Sequence, residues 1–130
     1  MNAPTLGYVI LYVPRVEASL SFYERAFGLA RRFLHESGSY GELETGATAL
    51  AFADETFTPT KGQFALNRPK TPAAGAELGL VVADVAQAWQ RALEAGAVPV
   101  VEPVTKPWGQ TVAYVRDLDG FLVELCTAMG

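Results

Sequence analysis

"LYVPRVEASLSFYERAFGL" (residues 11–29) is answered 69 residues further on by "LVVADVAQAWQRALEAGA" (residues 80–97). Each stretch is a short apolar run that passes into an amphipathic helix and closes at a glycine, Gly28 in the first and Gly96 in the second. In the first helix Val16, Leu20, Tyr23 and Phe27 recur at spacings of 4, 3 and 4, which is one stripe of an α-helix, and Pro14 suits the corner before it. In the second, Val85, Trp89 and Ala92 form the stripe and Asp84 stands where an N-cap belongs. The chain repeats one strand-to-helix unit.

Working outward, "YVILYV" (8–13) is rich in β-branched and aromatic residues and reads as a strand. Alternation separates Val9, Leu11 and Val13 from Tyr8, Ile10 and Tyr12. Behind the first helix, "RRFLHES" (31–37), "YGELETG" (40–46) and "TALAFAD" (48–54) read as three strands parted by turn residues. Behind the second, "VPVVEPV" (98–104), "QTVAYVR" (110–116) and "FLVELCT" (121–127) repeat the pattern, the last pair joined by the turn "DLDG" (117–120). The expected organisation is a first βαβββ module at 1–53, a linker at 54–76 carrying Pro59, Gly62, Pro69, Pro72 and Gly75, and a second βαβββ module at 77–130.

A small sheet with a helix on one face leaves its other face bare, so neither module closes alone. The expected fold class is α+β: tandem βαβββ modules forming a curved mixed sheet, a cup or half-barrel, with the helices outside. Strand pleating then selects the residues that face the cup. These are Tyr8, Ile10 and Tyr12 from the opening strand, Ala49, Ala51 and Ala53 from "TALAFAD", Glu77 and Val81 from "ELGLVVA" (77–83), and Leu122, Glu124 and Cys126 from the last strand. A concavity between repeats is where small ligands usually sit.

Composition bounds the partners. Half of the 130 residues are hydrophobic, 18% are charged and the net charge is −4, so the chain is globular and has no basic stripe for nucleic acid or an anionic membrane. A small-molecule ligand, basic or aromatic, is compatible with that charge. The single cysteine, Cys126, excludes an internal disulfide and reads as a buried thiol. The N-terminal apolar run lacks a basic lead and no apolar run approaches the ~20 residues of a membrane span, so the expected compartment is the cytoplasm.

Glu124 sits between Val123 and Leu125 in an apolar strand, where an unpaired carboxylate is costly. Such an acid could ligate a cation, hold a basic ligand, act as a general acid or base, or bond a backbone amide and only shape the fold. Glu77 opens its own strand; if it converges with Glu124, one of the two should titrate high. In "KPWGQT" (106–111), Trp108 is either a lid packed on the core or a plate for a flat or cationic ligand, with Gln110 beside it. His35 is the only histidine, too few for a triad with a nucleophile or for zinc without carboxylate help. Phosphate loops, dinucleotide fingerprints and serine elbows are absent from the sequence.

"YVILYVPRVEASLSFYERAFGL", "KPWGQT" and "DLDGFLVEL" together resemble the vicinal oxygen chelate superfamily, which includes glyoxalase I, extradiol dioxygenases, fosfomycin-resistance enzymes and bleomycin-resistance proteins. The resemblance implies metal ligands on the first and last strand of each module, at positions held here by Tyr8, Ala51, Glu77 and Glu124. Only Glu124 is of the usual ligand type; Tyr8 replaces a histidine or glutamine, Glu77 replaces a common histidine, and Ala51 has no donor atom. The family's aspartate after the first strand is here Arg15. The resemblance also implies a homodimer.

Three functions follow as expectations. The first is a metal-free protein that binds and sequesters a small molecule, bleomycin-resistance-like, with Tyr8, Tyr12, Glu77, Trp108, Gln110 and Glu124 as ligand-binding residues. The second is a divalent-metal lyase resembling lactoylglutathione lyase, or an isomerase or dioxygenase, using Glu77 and Glu124. The third is a metal-free enzyme in which one of the two glutamates is a general base, with Glu124 the catalytic candidate.

Overall fold

The computed structural model describes residues 2–129. The element order is β1 (Tyr8–Val13), α1 (Val16–Phe27), β2 (Arg31–Leu34), β3 (Tyr40–Leu43), β4 (Ala49–Asp54), β5 (Glu77–Val81), α2 (Val85–Glu94), β6 (Val98–Thr105), β7 (Thr111–Arg116) and β8 (Leu122–Cys126). This is βαβββ twice, an α+β fold, as the repeat predicts. Each module builds its own four-stranded mixed sheet, in the orders β1-β4-β3-β2 and β5-β8-β7-β6. The helix carries the chain away after the first strand, so the last strand returns parallel beside it, while the hairpin partners run antiparallel.

Contacts divide the chain into two compact units, one reaching to Leu66 and the other from Asn67 onward, with Arg25–Phe27 grouped with the latter. In the first unit α1 buries Val16, Leu20, Phe22 and Tyr23. Tyr23 meets Phe52 of β4 at a ring separation of 5.0 Å, so the helix covers the face of Leu11, Leu43 and Phe52. Gly41 is required beneath it, because a Cβ there would lie 2.6 Å from the Leu20 Cδ1 atom. The helix ends as the glycine signal predicts: Gly28 adopts φ 72° and its N–H bonds the Glu24 carbonyl.

In the second unit Asp84 caps α2 by accepting the Gln87 N–H at 3.0 Å. The helix packs over β6, β7 and β8, on the face of the buried Ala113, Val115, Val123 and Leu125. Strand β6 is one edge of its sheet and carries two prolines, Pro99 and Pro103. "RRFLHES" makes a shorter strand than its composition predicts. It stops at Leu34 because His35 N–H bonds the Tyr40 carbonyl and Gly38, at φ 76°, turns the chain into β3. No helix among the described residues is long and apolar enough to cross a membrane.

Candidate functional site

The face of the second sheet away from α2 is set by pleating. Glu77, Gly79 and Val81 of β5 lie in register with Leu122, Glu124 and Cys126 of β8, and Tyr114 of β7 pairs with Glu124. The two acids singled out in the sequence therefore share one face, with their carboxyl groups close enough for the Glu124 charge to act on Glu77. Gly79 lies opposite Glu124 in the register, and a Cβ on it would stand in ordinary contact, 3.6 Å, with the Glu124 Oε1 atom. The Tyr114 hydroxyl donates to Glu124 Oε2 at 3.3 Å.

The electrostatics follow from that convergence. Loss of water and then the Glu124 charge push the Glu77 carboxyl above its ordinary range. Burial and the same two acids raise the Tyr114 phenol, which keeps its proton and acts as a donor. Burial, then Glu124 and Glu77, raise the Cys126 thiol as well; its Sγ lies 3.7 Å from the Leu80 carbonyl, and the buried, unreactive reading of this residue agrees with its 6% exposure.

Trp108 is 64% exposed and is not a lid on the core. It sits in the β6–β7 turn, where Gly109 takes φ 92°, and its indole N–H donates to Gln110 Oε1 at 3.1 Å. Gln110 in turn donates through Nε2 to the Thr127 carbonyl at 3.0 Å, just past β8. The indole is thus an outward plate with a fixed edge. Arg116, on the same face as Tyr114 by alternation, bonds the carbonyls of Gly120, Arg68 and Thr71 and anchors the segment before β5. Gly120, at φ 95°, passes so close to the Arg68 carbonyl that a side chain there has no room.

In the first unit Tyr8, Ile10 and Tyr12 share one face with Ala49, Ala51 and Ala53, as pleating predicts, and Ala49 and Ala51 are buried. Tyr8 is 57% exposed. Tyr12 is engaged by the segment after β4: Phe64 stacks on its ring at 4.3 Å and 18°, and the Thr60 hydroxyl donates to its oxygen at 2.8 Å. Hydrogen bonds from Thr58 and Thr60 lower its phenol. Glu42 of β3 shares this face through its pairing with Ala51, and sequence reasoning passed it over. The buried Gly41 and Leu43 on either side of it were the available signal. His35 lies in the β2–β3 turn, its Nδ1 accepting the Ser37 N–H, a local structural role.

The four positions that the resemblance assigns to metal ligands do not make a transition-metal set. Glu77 and Glu124 meet, but Ala51 is buried without a donor atom and Tyr8 supplies a phenol where imidazole or amide is usual. No cluster of three or more His, Cys, Asp or Glu among the described residues could hold a metal ion.

The sequence profile of the Glyoxalase/Bleomycin resistance protein/Dioxygenase superfamily matches residues 5–125, and the chain belongs to that superfamily. Among solved structures it is similar to a glyoxalase-related enzyme from Fulvimarina pelagi, with 23% identity over 97% of this chain and 89% of that one, and a TM-score of 0.80. It is also similar to a glyoxalase/bleomycin resistance protein/dioxygenase family enzyme from Burkholderia phytofirmans PsJN, at 20% identity, TM-score 0.80, and 97% and 100% coverage. TioX from Micromonospora sp. ML1 follows at 23% identity and TM-score 0.74, with 97% and 100% coverage. At these identities the likeness is one of fold. A search of curated proteins found no significant match.

Proposed function

We propose that this chain is a small-molecule-binding member of its superfamily that works without a catalytic metal and takes a basic, ring-bearing ligand. The observation that carries the reading is the convergence of Glu77 and Glu124 on one sheet face, with the Tyr114 hydroxyl on Glu124, in a unit whose sequence holds no histidine. Two carboxyl groups this close have negative charge to give to a cation, and a protonated amine or amidinium bonds both acids. The exposed indole of Trp108, fixed by Gln110, supplies a plate for the ligand's ring in the same unit.

The reading is tested by calorimetric titration with a panel of basic aromatic compounds and their neutral ring analogues. Binding confined to the basic members, and weakened about ten-fold or more by Glu124→Gln, supports it. Elemental analysis of protein purified without chelator is the second arm. A transition metal near one per chain, with activity on a thiol adduct or catechol, would favour the glyoxalase-type reading in which Glu77 and Glu124 are metal ligands.

A further inference from the structure

Glu77 is the first residue of β5, an edge strand that pairs only with β8. The end of an edge strand is where a sheet frays first, so the acid keeps its place only if the chain ahead of it is held. Residues 72–76, which lead into it, lie outside the sheet. Pro72 fixes one backbone angle there, and the Ala76 N–H closes on the Ala74 carbonyl at 2.8 Å immediately before Glu77. The lead is short and stiff, and its placement is therefore set where it begins, at residues 68–71.

Arg116 grips that beginning. Its Nη2 donates to the Thr71 carbonyl at 2.6 Å and to the Arg68 carbonyl at 3.1 Å, while its Nε donates to the Gly120 carbonyl at 2.8 Å. One planar guanidinium thus joins β7, the turn after it and the lead into β5, a geometry that a flexible ammonium does not reproduce. In the sheet register Arg116, Leu122 and Glu77 form one row, which puts Arg116 and Glu77 two strand spacings, about 10 Å, apart on the same face. An arginine there is long enough to reach across and neutralise the acid. Neutral carbonyls take its N–H groups instead, so it holds the strand of Glu77 and leaves the acid's charge to a ligand. Gly120 belongs to the grip: a Cβ on it would stand 2.7 Å from Arg116 Nη2 and strike the Arg68 carbonyl.

We propose that Arg116 is a positioning residue for ligand binding: by clasping the carbonyls of Arg68 and Thr71 it fixes the entry into β5 and so holds Glu77 beside Glu124. The inference rests on the binding role given above to the Glu77–Glu124 pair and adds a residue that acts on the pair from outside it. Because the clasp works through Glu77, its effect on affinity exists only while Glu77 is present.

The test uses the whole chain, with benzamidine as the cationic ring probe and benzamide as its neutral control. Calorimetry should find benzamidine binding weakened about five-fold or more in Arg116→Met, and nearly as much in Arg116→Lys, which keeps the charge without the planar fork. In a Glu77→Gln background the same Arg116→Met change should cost about two-fold or less, because the acid it places is gone. Amide exchange read by NMR needs no ligand: Arg116→Met should speed exchange about ten-fold or more across residues 68–81 and leave α2 and β6 at their natural rates. Gly120→Ala disturbs the clasp from the other side and should speed the same amides. Natural exchange rates at 77–81 in Arg116→Met, exchange raised evenly over the whole second unit, tighter benzamidine binding in that variant, or equal losses in the two backgrounds would each overturn the positioning role. If the natural chain does not prefer benzamidine to benzamide, the acid-pair reading falls and takes the positioning role with it; a preference that Arg116→Met leaves intact overturns the positioning role alone.

Discussion

Gly79 stands opposite Glu124 across the parallel β5–β8 pair, its bare Cα facing the Glu124 Oε1 atom on the face shared with Glu77. A glycine inside a strand weakens it, and a methyl group in its place would meet that oxygen only in ordinary contact.

Substitution at that glycine separates the two acids. Gly79→Ala puts a methyl group in ordinary contact with Glu124 Oε1, at 3.6 Å, and leaves the pair in place. Gly79→Val adds branched bulk that displaces the Glu124 carboxylate. Carboxyl ¹³C titrations should find Glu77 raised in the natural chain and in Gly79→Ala, and less raised, though still above the ordinary glutamate range, in Gly79→Val, because burial, the larger cause, remains.

The Glu77 shift has a defined sign in stability. Its carboxyl is raised in the folded chain, chiefly by loss of water and then by Glu124, so the folded state binds its proton more tightly than the unfolded state does. The favourable contribution is complete below the ordinary glutamate value and is lost as pH rises from there through the raised value. Denaturant unfolding across that window should show a downward slope with pH that Glu77→Gln flattens.

Gly41 lies under Leu20, and any side chain there collides with a fully buried residue and crowds the Phe33 carbonyl at 3.1 Å. Gly41→Ala should destabilise the fold by about 1–3 kcal/mol, read as a lower urea midpoint with an unchanged m-value.

Cys126 is both buried and raised in pKa, and each property suppresses thiolate attack. Iodoacetamide labelling followed by mass spectrometry should run ~100-fold slower in the folded chain than in urea, because it must await opening of β8.

The repeat, both helices with their stops, and the faces of β1, β5 and β8 were readable in the sequence, because each rests on local periodicity. The Asp84 cap and the Gly28 stop are likewise nearest-neighbour chemistry. Glu42 was not readable as a site residue, since its facing depends on how β3 registers against β4, a pairing between segments and not a pattern within one. The full length of "RRFLHES" as a strand was overturned by the turn at Gly38, which outweighs the propensity of the flanking residues. Trp108 illustrates the limit of composition: tryptophan in a loop usually packs inward, yet its one polar atom is satisfied by Gln110 with the ring left in solvent.

Pro99 and Pro103 mark the rim strand β6 with two positions that have no amide hydrogen to offer. A second chain arriving in extended form would find the hydrogen-bonding comb broken at both, although Val98, Val100, Val101 and Val104 make the strand attractive to it. Replacing the two imino acids with threonine would restore both amide hydrogens to this valine-rich rim.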